Sequence, residues 1–142
     1  MKYRLTEETK VVAGVTLHRI QALKSFGDVT EGDLGGWVES EDNLSHSGDC
    51  WVSGSARVFG SARVYENARV CKNAQVCGNA QVYGYAWVFG DAEVCGNAKV
   101  YGNARVFGNA WVFGDAKVSG KACVSGDALV HEGDITSGEY KQ

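Results

Sequence analysis

The stretch AQVCGNAQVYGYAWVFGD, residues 74–91, divides into three six-residue units, each A-x-V-x-G followed by one corner residue. Across A-x-V-x the apolar residues alternate with variable ones, the period-2 signature of a short strand with one face buried. The Gly and the residue after it tolerate φ > 0 and supply a sharp corner. Working outward, a Val recurs every six residues from Val52 to Val130, fourteen times without a break. An Ala stands two residues before each of these from Val58 onward, and a Gly two residues after in eleven of the fourteen units. Such a period marks a repeat fold. A chain that turns the same way after every short strand must wind. Three units then close a triangular coil of 18 residues with Ala and Val inside. An α-helix is excluded: a six-residue period does not hold one helical face, and a Gly in every unit costs roughly 1 kcal/mol each.

The chain has 142 residues, no Pro, 19 Gly and 44% hydrophobic residues, the composition of one folded domain. Residues 1–49 carry nine acidic and five basic side chains, and residues 50–142 carry eight and nine. The acidity therefore belongs to the N-terminal part, and the near-neutral body lacks the basic face that double-stranded nucleic acid requires. The start, MKYRLTEETKVVAG, has no basic segment followed by an apolar one, and no apolar run long enough to span a bilayer occurs. The expected location is the cytoplasm, without membrane contact. Cys50, Cys71, Cys77, Cys95 and Cys123 form no C-x-x-C pair and have no His at ligand spacing, so they read as reduced thiols, with no metal or cofactor implied.

The unit Val94-Cys95-Gly96-Asn97-Ala98-Lys99, with an aliphatic first and a small fifth residue, resembles the hexapeptide-repeat, left-handed parallel β-helix proteins. The resemblance covers residues 50–131 and implies the hand of the coil. It says little of function, because that architecture hosts acyltransferases, γ-class carbonic anhydrases, ice-binding proteins and scaffolds. The KYRL start (Lys2 to Leu5), Gly35-Gly36-Trp37-Val38, Leu44-Ser45 and Gly48-Asp49-Cys50-Trp51 resemble the N-terminal part of the YdcK-like family of bacterial and prophage β-helix proteins. The expected fold class is all-β: a single-stranded left-handed parallel β-helix of about 4.5 coils, ~20 Å tall at ~4.8 Å per strand. An open end wastes a coil and invites pairing, so a cap is required. Residues 1–49, strand-like but without the period, supply a small β-rich N-terminal cap; residues 50–131 are the coil, and 132–142 a polar tail.

Residues 18 apart stack on one face, which sorts the outward positions into ladders. One face shows Trp51, Arg69, Trp87, Phe89, Arg105 and Phe107; the second shows Phe59, Trp111 and Phe113; the third Tyr65, Tyr83 and Tyr101. Apolar surface of this extent points to a partner, and a homotrimer packing prism faces about a three-fold axis is the expectation. Self-association is assigned to Phe59, Tyr65, Tyr83, Tyr101, Trp111 and Phe113, with an intrachain ladder as the alternative for the tyrosines. On the first face, Arg69 and Arg105 beside Trp87, Phe89 and Phe107 combine stacking surface with anion-binding forks, as nucleotide ligands use. Interface packing explains the same residue types. Trp51, Arg69, Trp87, Phe89, Arg105 and Phe107 are the candidate ligand set.

Acyltransferases of this fold use a His base, and this chain has only His18, His46 and His131. His46 falls in the inward Val phase, six residues before Val52, where a capped structural role is expected. No G-x-S-x-G, P-loop or paired-carboxylate arrangement appears, so no catalytic residue is assigned. The pattern predicts a non-catalytic homotrimer that sequesters a small anionic ligand, such as a signalling nucleotide, between subunits in a bacterial or prophage setting. An acyltransferase-like enzyme and a purely structural self-assembling module are the alternatives.

Overall fold

The computed structural model describes residues 1–141; the last residue of the tail expected over 132–142 lies outside the described residues. The chain is all-β apart from one short 3-10 turn, Glu41–Asn43. The repeats form two-residue strands such as Gln75–Val76, Gln81–Val82 and Trp87–Val88, one on each of three faces. Strands pair in parallel with the unit 18 residues on, Val76 with Val94 and Val88 with Val106. Every Ala from Ala56 to Ala128 and every Val from Val52 to Val124 is fully buried, in one continuous core.

Coils are joined by main-chain bonds from one coil to the next: Gln75 N–H donates to Ala92 O, Cys77 to Val94 O and Asn79 to Gly96 O, at 3.0, 2.9 and 2.8 Å. The corner after each strand needs a left-handed residue, and Gly78 (φ 65°) and Gly84 (φ 69°) supply it. Three units lack that Gly, and in two of them Glu66 (φ 60°) and Lys72 (φ 61°) adopt the same conformation.

The coil count corrects the expectation of about 4.5: two of the three faces hold six coil strands in parallel register, and the third holds five plus the Leu44–Val64 bridge, so the solenoid makes about six turns. The extra coils lie on either side of the unbroken Val series. Val38 pairs with Val58 and Leu44 with Val64, steps of twenty residues, while Lys117 pairs with Asp134 and Cys123 with Glu139, steps of seventeen and sixteen. Uneven coil lengths hide these turns from a six-residue count. For the same reason the inward position falls to Leu44 and not to His46, which is half-buried.

Above the first coil, β1 (Tyr3–Val12) and β2 (Val15–Ala22) form a hairpin closed by Ala13 and Gly14, both at positive φ (52° and 79°), as a two-residue type I′ turn requires. Strand β3 (Leu34–Val38) pairs antiparallel with β2 on one side and parallel with Arg57–Val58 on the other, so the hairpin extends one solenoid face into an eight-stranded sheet. β3 approaches the coil so closely that a Cβ on Gly35 meets Val52 O at 2.6 Å, and one on Gly36 meets Ala56 O at 2.7 Å. The interior is closed by Tyr3, Ile20 and Leu44, all fully buried.

With no coil above, the top carbonyls need other donors. Asn43 Nδ2 donates to Gly60 O (3.2 Å) and Ala62 O (2.8 Å). Lys2 Nζ donates to Gly48 O (3.2 Å), Cys50 O (2.7 Å) and Cys50 Sγ (3.3 Å), though only 1% exposed. Burial outweighs the nearby thiol and Asp49 and lowers the Lys2 pKa.

Candidate functional site

A groove of about 700 Å³ lies on the face built from Trp51–Val52, Arg69–Val70 and Trp87–Val88. The repeat turns Arg69 outward between inward Ala68 and Val70, and stacks Trp87 one coil below it. The floor is Ser53, Arg69 and Cys71. Asp49, Asn67 and Tyr85 line one corner edge, Gly54 and Lys72 the opposite one, and Asp28 overhangs from the loop between β2 and β3. Tyr85 is 64% exposed and Trp87 41%, an aromatic ledge below two cations.

Arg69 donates a short hydrogen bond from Nη1 to the Asp28 carboxylate. That bond, followed by the guanidinium charge, holds Asp28 below the usual carboxylate range. Lys72 reaches the same groove from a corner whose left-handed conformation a Gly adopts without strain. Strain retained beside a cavity is a known mark of functional sites. The chemistry on offer is a flat stacking surface, one guanidinium and one ammonium, with Asn67 and Ser53 as hydrogen-bonding groups.

Of the six residues expected to hold a ligand, the groove brings together two, Arg69 and Trp87. Arg105 stacks its guanidinium carbon 5.0 Å from the Trp87 ring centroid and backs the ledge from below. Phe89 meets Trp87 edge-on at 6.2 Å and stacks on Phe107 at 4.9 Å, continuing the ladder away from the groove. Trp51 departs from its expected outward role. It is 5% exposed, with its ring edge-on to Phe26 at 5.3 Å and to Tyr3 at 6.3 Å, because the cap folds over it. Asp28, Asp49, Asn67, Lys72 and Tyr85 were not singled out. Lys72 carries a signal, since its unit lacks the corner Gly, and so does Tyr85, an aromatic ring in the corner column of Asp49, Asn67, Asn103 and Lys121. Asp28 carries none, because its place depends on the cap.

Among the self-association candidates, Tyr65, Tyr83 and Tyr101 stack within the chain, centroids 4.7 and 5.0 Å apart and ring planes nearly parallel. Trp111 is 46% exposed and edge-on to half-buried Phe113 at 6.4 Å, with Leu129 exposed below; Phe59 is half-buried. His46 is held at both nitrogens: Nδ1 accepts from Lys2 N–H at 3.1 Å, Nε2 lies 2.7 Å from Glu41 Oε1, and the ring stacks on Tyr3 at 4.2 Å. His131 leans on Phe113 at 5.7 Å. The five cysteines are free thiols, and burial pushes Cys77 up to about 11, aided by the neighbouring Cys95. Among the described residues no three His, Cys, Asp or Glu side chains gather where a metal ion is held.

A family model described as the YdcK β-solenoid repeat matches residues 74–90 and 98–114, regular coils of which the first takes in Tyr85 and Trp87 of the groove. The chain is also 37% identical over 59 residues to a protein of Escherichia coli strain K12 named uncharacterized acetyltransferase YdcK. The chain is a parallel β-solenoid whose repeats resemble those of YdcK. The alignment takes in 36% of this chain but only 18% of that relative, so the YdcK-like likeness speaks for the solenoid and not for the whole relative. Among the described residues no helix is long and apolar enough to cross a membrane.

Proposed function

We propose that this YdcK-like protein is a non-catalytic binding protein that holds a small anionic ligand with a flat ring, such as a nucleotide, in the groove between the cap loop and Trp87. The observation that carries the reading is the placement of Arg69 and Lys72 above the exposed rings of Trp87 and Tyr85 in one cavity. The ligand ring stacks on the ledge, and its anionic group exchanges with Asp28 at Arg69 while Lys72 closes on it. Exposed Trp87, Trp111 and Leu129 on the outward faces favour a homotrimer in the bacterial cytoplasm, with the groove opening between subunits.

Calorimetry against a panel of nucleotides and sugar phosphates tests the ligand. Binding that is lost in Trp87→Ala and in Arg69→Ala, both still folded by circular dichroism, is the expected result. A panel with no binder at millimolar concentration ends the reading. Sedimentation equilibrium giving a single mass of three chains supports the trimer, and a monomer at all concentrations removes it.

An acyltransferase is the second reading, favoured by the name of the relative. His46 is tied to Lys2 and Glu41 and stacks on Tyr3, contacts that support a structural role over that of a base. Acetyl transfer from a CoA donor, abolished by His46→Ala or His18→Ala in a folded protein, is the result that favours catalysis over sequestration.

A further inference from the structure

We propose that the upper end of the eight-stranded sheet, where Lys10, Arg19 and Arg57 converge on Trp37, binds a phosphoryl oxyanion. The strand pairing makes the site. Arg19 of β2 and Arg57 of the repeat strand Arg57–Val58 flank Trp37 of β3 in register, one on each side. Lys10, at the end of β1, folds its Nζ over the Trp37 ring at 4.2 Å from the centroid, and the Arg19 guanidinium carbon lies 5.9 Å from the same centroid. Two cations from separate strands therefore cover one indole, and Arg57 stands beside it in register on a third strand.

One carboxylate faces them. Glu8 Oε1 is 3.5 Å from Arg19 Nη1, and both side chains are open to solvent. Glu39, next along the sheet, is spent elsewhere: its Oε1 accepts the Gly60 N–H at 2.8 Å. Arg19 Nε donates to Gly35 O at 3.2 Å, which holds the guanidinium in place with Nη1 toward Glu8. Lys10 is shifted down first by burial and then by Arg57 and Arg19, with Glu8 alone opposing. Like charges gathered with a net excess of two repel, and packing does not require them, since Trp37 needs no second or third cation to fill its place. An anion with several oxygens relieves that repulsion by taking one hydrogen bond from each. The indole gives the site a rigid wall.

The site lies on a different face from the groove at Arg69, and its test is separable from that of the proposed function. Melting of the full chain is followed in inorganic phosphate and in glycerol phosphate, each against chloride at matched ionic strength. The expected result is a rise of several degrees that chloride does not give. Arg57→Gln, which neither covers Trp37 nor pairs with Glu8, is expected to remove at least half of that rise without lowering the melting point in chloride. Arg69→Ala is expected to leave it whole. A larger response to the ester than to the free ion identifies the phosphoryl group of a larger molecule as the natural occupant; the reverse identifies the free ion. No rise in either anion, a full rise in Arg57→Gln, or its loss in Arg69→Ala each overturns the proposal.

Discussion

The regular coils and the cap above them reach equally dry interiors by opposite means. From Ala56 to Ala128 each coil satisfies its main chain with the coil below, and the side chains at 0% exposure are Ala and Val. The first fifty residues bury Lys2, Tyr3 and Asn43, and each performs a task that a further coil performs elsewhere. Asn43 and Lys2 supply donors to carbonyls of the top coil, and the Tyr3 hydroxyl donates to Leu44 O at 2.6 Å and Glu41 O at 3.1 Å. A repeat is tolerant because its bonding is distributed, whereas a terminus concentrates its bonding in a few side chains. Substitutions of like kind are therefore expected to cost far more in the cap.

Gly36→Ala carries the largest expected effect. Its Cβ meets Ala56 O at 2.7 Å and Val52 Cγ1 at 2.8 Å, which forces β3 off the coil. A loss of about 3 kcal/mol in urea unfolding is expected; under a third of that refutes close approach as the reason for Gly35-Gly36. Asn43→Ala follows. It removes donors to Gly60 O and Ala62 O and the acceptor of the Glu39 and Ser40 amides, for a loss of roughly 2–3 kcal/mol. The same change at Asn79, whose side chain bonds only exposed Asn97 at 3.3 Å, is expected to stay within about 0.5 kcal/mol. Equal losses at the two sites erase the contrast between cap and coil.

Lys72→Gly tests the strained corners within the coil. Relief of the left-handed conformation is expected to stabilise the protein by about 0.5–1 kcal/mol after the extra entropy of Gly. Ligand binding in the groove is expected to weaken in the same variant, so a stabler but poorer binder is the predicted signature. The smallest effect is a pH slope. The Cys77 thiol is raised from 9.0 to about 11 when folded, so the folded chain keeps a proton that the unfolded chain loses. Its contribution is intact below pH 9 and lost as the pH rises toward 11. Cys77→Ser is expected to flatten unfolding free energy against pH over that window, and an unchanged slope contradicts the assignment.

Much of this was legible without coordinates. Fourteen Val residues at one spacing leave a single way to bury them, and the 18-residue ladders follow with Trp87 above Arg105 and Tyr65 above Tyr83. The six-residue period failed at Leu44 and at Ile135, because coils of twenty, seventeen and sixteen residues shift the inward phase. Two of the ten residues that line the groove were legible as well. Arg69 and Trp87 stand 18 residues apart on one face, a local consequence of the repeat.

By itself the sequence determined the coil, its three faces and the column each outward side chain occupies, since a strict period makes position along the chain equivalent to position in space. Only the tertiary structure decided which members of a column reach solvent. Trp51 and Trp87 hold equivalent positions in the repeat, yet the first is buried beneath Phe26 and Tyr3 and the second is open. The pairing of Asp28 with Arg69 and the gathering of Lys10 and Arg19 on Trp37 were likewise decided there. They depend on how an aperiodic cap docks on a periodic body, and that docking is set by packing between segments remote in sequence.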